Sequence, residues 1–532
     1  MKSHSVKFNA VMNTLLTASN MLISVITLPY VTRVLSVEGY GDVTFAQSLS
    51  TWLSALCLVG IPTYGIRECA RVRDDPQALA KTVKELLSIV TVFTMATLSV
   101  FAACIYLVPR LRSLSCLMWI FLISTLLLSY GVEWFFQATE QYEYITIRSV
   151  IFKIISLIAI LVFVRHKDDW LIYGAIIALV ACANNLFNIT RLLHTLSFKN
   201  LGRSNLRKHG KSLISFAALS IATAIYQSFD SVLLGLLSPN NIQVAFYQLA
   251  SKLRNICWQV VNAIVGVLIP RLSYYAKNNP AQYTSLLRRG FGITLNLSLG
   301  IANYLLAFAY PLIVLLSSEK YAAAVISVQI IGFVNFFSCL STFIGLCVLT
   351  PLDLERKLAM ANMAGVPISL VANFALDGTW GATGAAIAVL IAEFVIFTIQ
   401  VHASWKILRN ALRLGDMLKT LIINVIALIA GFAAVALPLA EIPLLIVGFF
   451  IYGVTWLIVG LIIREDSTIW AINTVLSLLG RQQIQSKTTP KHKNKQQRID
   501  GGINDVSPTN VTSVIGQVNP RKPYNDQQER RY

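Results

Sequence analysis

The chain is a nearly unbroken succession of long apolar segments, and nothing else in it constrains the fold as tightly. A helix that crosses the hydrocarbon of a bilayer needs about 20 mainly apolar residues. Fourteen segments meet that description: 8–32, 43–66, 86–108, 114–136, 145–164, 170–194, 212–237, 244–269, 290–316, 322–350, 357–376, 380–402, 418–438 and 442–463. Backbone amides in lipid have no water to bond to, so each segment must satisfy its own hydrogen bonds as a helix. A barrel would instead alternate in strands of roughly ten residues. The expected fold is an all-α polytopic membrane protein. Composition agrees: only 13% of the residues are charged and 55% are apolar, whereas a soluble domain carries roughly 25% charged residues.

The net charge of +19 follows topology. With the N-terminus placed in the cytoplasm, 24 Lys and Arg fall in cytoplasmic loops and six on the opposite side. That bias is the positive-inside pattern, and it returns the C-terminus to the cytoplasm. A basic chain arranged in this way points to anionic lipid headgroups, with no nucleic-acid partner expected. The first segment is too long for a cleavable signal peptide and has no small-residue cleavage site after it. The tail 464–532 is polar, carries ten Lys and Arg against four Asp and Glu beyond residue 480, and is expected to stay disordered. Segment 467–479 within it reads as a short interfacial helix.

A weak internal repeat organises the spans. Val43-Thr44-Phe45-Ala46-Gln47 opens the second segment, and Val244-Ala245-Phe246-Tyr247-Gln248 opens the eighth. Even-numbered units of this kind are parallel repeats about an axis along the membrane normal. The expected division is an N-terminal lobe with its linker (1–211), a C-terminal lobe of six further helices with its linker (212–417), two appended helices (418–463) and the tail.

Ionisable groups inside spans cost roughly 2.5–3.5 kcal/mol each on insertion scales. The clear cases are Glu133, Lys153, Asp230, Lys252, Arg254 and Glu393. Asp230 and Lys252 lie at matching depths, roughly 10–12 Å below the outer surface at 1.5 Å rise per residue. They are expected either to close as a structural ion pair or to line a cavity for an anionic headgroup. Arg254 has no acidic residue at an obvious matching depth, and its planar fork suits phosphate oxygens. Glu133 and Lys153 are expected to pair near the cytoplasmic side. Glu393 is read as protonated or as part of a proton or cation relay. Arg33 closes the first segment on the outer side, as a snorkelling anchor or a substrate contact. The eight cysteines and six histidines show no ligand spacing, so no metal, cofactor or disulfide framework is expected. There is no Walker-type phosphate loop, G-x-S-x-G or HExxH, which favours transport over catalysis.

Several stretches carry a resemblance. Leu28-Pro29-Tyr30-Val31-Thr32-Arg33-Val34-Leu35, followed by Glu38-Gly39-Tyr40-Gly41, resembles the opening of the O-antigen flippases (Wzx-type) of the polysaccharide transporter family. Tyr64-Gly65-Ile66-Arg67-Glu68, Glu133-Trp134-Phe135-Phe136-Gln137-Ala138 with Glu140, Asp230 to Gly235, Ala250-Ser251-Lys252 and Pro270-Arg271 are similar in the same sense. The resemblance spans about 8–463, with Glu133 where that family has Asp and a basic tail past its usual end. It implies a multidrug/oligosaccharidyl-lipid/polysaccharide exporter fold of two lobes around a central cavity, in a bacterial inner membrane. It implies undecaprenyl-pyrophosphate-linked oligosaccharide units as substrate, moved to the outer leaflet; the reading of the intramembrane charges then assigns Arg254, Lys252 and Arg33 to the headgroup, with Asp230 as counter-charge. Proton or sodium coupling and a polysaccharide polymerase are the other expected partners. The rival is a cation-coupled drug exporter, which wants an acidic cavity. A polymerase enzyme is disfavoured because no outer loop exceeds about a dozen residues.

Overall fold

The computed structural model describes residues 6–473 except 200, 203, 467 and 471. Sixteen α-helices follow one another with no strand among the described residues. They are α1 (Val6–Val34), α2 (Val37–Leu58), α3 (Ile61–Arg71), α4 (Pro76–Leu107), α5 (Pro109–Ser113), α6 (Ser115–Ser129), α7 (Glu133–Ala138), α8 (Tyr142–Phe163), α9 (Trp170–Thr195), α10 (Arg207–Leu237), α11 (Ile242–Asn278), α12 (Pro280–Leu316), α13 (Val325–Ile344), α14 (Glu355–Ala411), α15 (Leu414–Val435) and α16 (Glu441–Ile463). Short 3-10 and π turns flank α13. Most of the tail falls outside the described residues, as does much of the expected interfacial helix.

Local chemistry sets the helix starts. Ser36 caps α2 by accepting the Gly39 amide at 3.2 Å. Asp75 accepts from the Gln77 and Ala78 amides ahead of α4, with Pro76 at its first position. Asn279 and Pro280 repeat that arrangement at α12. These side chains occupy amides that the first helical turn leaves unpaired. Between α2 and α3 the chain turns through Gly60 at φ +74°, where a Cβ would also overlap the Phe216 backbone.

Among the described residues eleven helices are long and apolar enough to cross a membrane, or thirteen if each of two bent pairs is one span. The bent pairs are α2 with α3, at 40°, and the two parts of α10, at 57°. The sequence count of fourteen differs because α14, 57 residues long, holds two helices joined at a kink where the sequence places two spans. A helix of that length would reach about 85 Å, far beyond a hydrocarbon core of about 30 Å. Gly381, at φ +55° and ψ −132°, kinks it, and the bend lies where the sequence pattern places a short loop. Large apolar side chains such as Val100, Leu107, Phe449 and Phe450 remain exposed along the spans, as lipid-facing surface requires. The main core joins α2, α4, α6 and α9 to α11, α12, α13 and α14. The repeated segments meet inside it: Val43, Phe45, Val244 and Phe246 are all buried where α2 packs on α11.

Candidate functional site

Asp230, Lys252, Arg254 and Glu393 gather on α10, α11 and α14, and their partners differ from those expected. Asp230 on α10 is buried and accepts from the Tyr247 hydroxyl (2.8 Å), the Asn373 amide (2.7 Å) and the Ser369 hydroxyl (3.3 Å). Lys252 is not among its partners. Tyr247 faces Asp230, and Lys252 sits five residues further along α11, about 140° around the helix axis. The Lys252 ammonium instead lies 5.4 Å from the centre of the Tyr40 ring, in cation–π range. Tyr40 packs against Tyr173 and Tyr321. Among the described residues Lys252 forms no salt bridge.

Arg254 does have an acidic neighbour. Its Nη2 is 3.9 Å from Oε1 of Glu393, which is buried on α14. Glu393 thus shares Arg254 with Asp230, the counter-charge expected from sequence, which lies within electrostatic reach of the same guanidinium. One residue that the sequence passed over belongs to the same region. Asp377 is 1% exposed and neither carboxylate oxygen has a hydrogen-bond partner. It lies four residues beyond Asn373, on the same face of α14, within electrostatic reach of Asp230. Two buried carboxylates so placed cannot both hold bare charge cheaply. The arrangement can take up a proton or a monovalent cation. No group of three or more His, Cys, Asp or Glu suited to a metal occurs among the described residues.

The remaining sequence candidates are occupied by other work. Arg33 donates from Nε to the Ser317 carbonyl at 2.9 Å and from Nη2 to the Leu315 carbonyl. It therefore binds the carbonyl end of α12, where unpaired C=O groups and the helix dipole favour a cation. Arg110 on α5 does the same for the end of α10, bonding the Gly235 and Pro239 carbonyls at 3.3 and 3.1 Å. Glu133 and Lys153 form no salt bridge, although they lie within electrostatic reach of each other. Glu133 faces Arg148 at 3.4 Å, and Lys153 donates to the Ser19 hydroxyl at 3.0 Å. Arg148, counted from sequence as a loop cation, is 6% exposed.

Two further polar contacts join α2 to α11. The Asn241 amide, just ahead of α11, donates to the buried Asp42 carboxylate at 2.7 Å. Gln248 donates to Ser48 at 3.1 Å and to Ser231 at 2.7 Å. Gly41 lets this end close, because a Cβ there would overlap the Asn241 carbonyl oxygen.

Residues 6–276 match the family described as "Polysaccharide biosynthesis protein". The chain is 24% identical over 407 residues to a "Putative O-antigen transporter" of Escherichia coli (strain K12), covering 74% of this chain and 96% of that one. It is 25% identical over 417 residues to the protein of the same description from Shigella dysenteriae, covering 75% and 99%. Among solved structures, a lipid II flippase, MurJ, in an inward closed conformation superposes with a TM-score of 0.64 at 13% identity, over 85% of this chain and 99% of that one. An inward-facing multidrug resistance transporter of the MATE family gives 0.54 at 11% identity, over 73% and 98%. Those two likenesses establish the fold, and the family match covers just over half of the sequence. The chain belongs to the polysaccharide biosynthesis protein family.

Proposed function

We propose that the protein is a flippase that carries undecaprenyl-pyrophosphate-linked oligosaccharide units from the cytoplasmic to the outer leaflet of a bacterial inner membrane. Two six-helix lobes alternate access to a site between them, and α15 and α16 are appended to the second lobe. The observation that carries this reading is Lys252, a half-buried ammonium inside a span with no salt bridge among the described residues. A cation at that depth is costly unless an anion comes to it. A pyrophosphate headgroup is such an anion, while the polyprenyl tail stays in lipid. The family match and the curated relatives described as O-antigen transporters support the same substrate class.

Asp377 and Asp230 supply the coupling site in this scheme. Uptake of a proton or sodium ion by the pair on one side, and its release on the other, biases the alternation. The same acids fit a cation-coupled drug exporter, and Asp377 is the observation that favours that second reading.

One experiment separates the two. Lys252→Gln and Arg254→Gln, each checked for normal membrane abundance, should cut surface polysaccharide at least about tenfold, the effect of losing roughly 1.4 kcal/mol of binding at subsaturating substrate. Unchanged polysaccharide with altered resistance to cationic drugs would contradict the flippase.

A further inference from the structure

The end of the bundle that holds Arg33 is sealed by polar groups of two kinds. Some have partners across the seal: Arg33 holds carbonyls at the end of α12, Asp42 takes the Asn241 amide, and Ser48 takes Gln248. Others have none. Tyr40 on α2 and Tyr321, in the 3-10 turn before α13, are fully buried, and their rings meet edge to face at 6.4 Å. Neither hydroxyl has a hydrogen-bond partner among the described residues. The same holds for the buried Oγ atoms of Ser317 and Ser318, although the Ser317 carbonyl is bonded by Arg33. Aromatic rings flank both tyrosines: Tyr173 lies 6.5 Å from Tyr40, and Phe246 lies 5.9 Å from Tyr321.

A buried polar group left without a partner costs more than a formed bond returns. Phenylalanine would pack against the same rings without that cost. Tyrosine at both positions therefore makes the shut seal less stable than its packing alone would. When the two sides part, water reaches the hydroxyls and the cost disappears. The charge-assisted bonds of Arg33 and Arg110 act in the opposite direction and hold the seal closed.

We propose that the unpaired hydroxyls of Tyr40, Tyr321 and Ser317 are a release device, which keeps the shut and open states of this end close enough in free energy to exchange. The proposal rests on the alternating access put forward above and names the groups that stop its shut state from becoming a trap. It assigns opposite signs to neighbouring side chains: losing a partnered group loosens the seal, whereas losing one of these hydroxyls tightens it.

The experiment is thiol labelling of the full chain in membranes, in a background without the eight native cysteines. The reporter is Ser238→Cys. Ser238 is buried between Gly235 and Pro239, whose carbonyls Arg110 holds. Its reaction with a water-soluble maleimide follows the open fraction. Tyr40→Phe with Tyr321→Phe should slow labelling at least about tenfold. Ser317→Ala alone should slow it at least about threefold, and it still decides if the double variant fails to fold. Ser48→Ala, which removes a hydroxyl that does accept a bond across the seal, should not slow labelling. Unchanged or faster labelling in the tyrosine and Ser317 variants would show that their hydroxyls have partners, and overturns the proposal. Equal slowing by Ser48→Ala overturns it too, because lost polarity alone would then suffice. A reporter that never labels, even without these substitutions, would overturn the alternating access and this proposal together; the other failures leave the alternating access standing.

Discussion

The two ends of the helix bundle are joined in different ways. At the end holding Arg33, helices before residue 200 bond the segments from α10 to α12 at several separated points. Arg33 and Arg110 reach carbonyl ends of α12 and α10, Asp42 meets Asn241, and Ser48 meets Gln248. Tyr40 and Tyr321 close the centre of that interface and are fully buried. At the opposite end the contact is concentrated on the first three turns of α10, where Tyr64 and Arg67 pack on Phe216. Glu85 of α4 is 2.6 Å from Lys208 and 3.1 Å from His209, whose other ring nitrogen is 2.8 Å from the Tyr64 hydroxyl. Meanwhile Val11, Leu15 and Leu22 leave much of the N-terminal half of α1 exposed. The first end is joined through several helices on each side; the second is joined through one helix, α10, packed on α3 and α4. The alternating access proposed above needs such asymmetry in each of its states, and in that scheme the seal marks the end that is shut.

Gly41→Ala should break that comparison most severely. Its methyl group overlaps the Asn241 carbonyl, so the seal cannot form. Surface polysaccharide should fall to background while the protein remains in the membrane, and wild-type output from this variant would show that closure at this end is dispensable.

Arg33→Ala combined with Arg110→Ala should come next. Each removes hydrogen bonds from a charged donor, worth about 1.5–3 kcal/mol. The closed-to-open ratio should therefore drop at least about tenfold, seen as faster thiol labelling of a cysteine introduced at the Arg33 end. An unchanged labelling rate would return Arg33 to the role of a substrate contact or a membrane anchor.

Glu85→Gln should have the smallest effect on transport. It leaves His209 and Lys208 without their carboxylate and should lower the apparent melting temperature by several degrees, since breaking a buried charge pair is destabilising. Transport should stay within about twofold, because a local attachment opens at little cost to a population set elsewhere. A larger transport loss than that of the Arg33 and Arg110 variant would reverse the ranking of the two ends.

Much of this was legible in the sequence. Apolar runs fix spans because lipid forbids unpaired backbone, so element type follows from length and composition alone. The charged residues inside spans were equally visible. Their partners were not. Residue counting gave Asp230 and Lys252 one depth, but depth says nothing of azimuth, and Tyr247 holds the face towards Asp230. Arg254 found Glu393 across α11 and α14, a pairing of residues 139 positions apart that no local pattern encodes. Asp377 was missed for a different reason. Placing a loop at 377–379 moved it out of the spans, whereas the helix continues to a kink at Gly381. A helical spacing from Ser369 through Asn373 to Asp377 was the signal that could have kept it in. Arg33 looked like a ligand or an anchor, and its carbonyl partners on α12 lie more than 280 residues away.

The most direct measurement is a reversible cross-link across the seal. Asp42→Cys with Asn241→Cys replaces a hydrogen-bonded pair that is 2.7 Å apart and buried, in a background without the eight native cysteines. Oxidation should lock this end shut, stop delivery of newly made polysaccharide to the cell surface, and leave lipid-linked units on the cytoplasmic side. Reduction should restore delivery. Undiminished delivery by fully cross-linked protein would contradict the account.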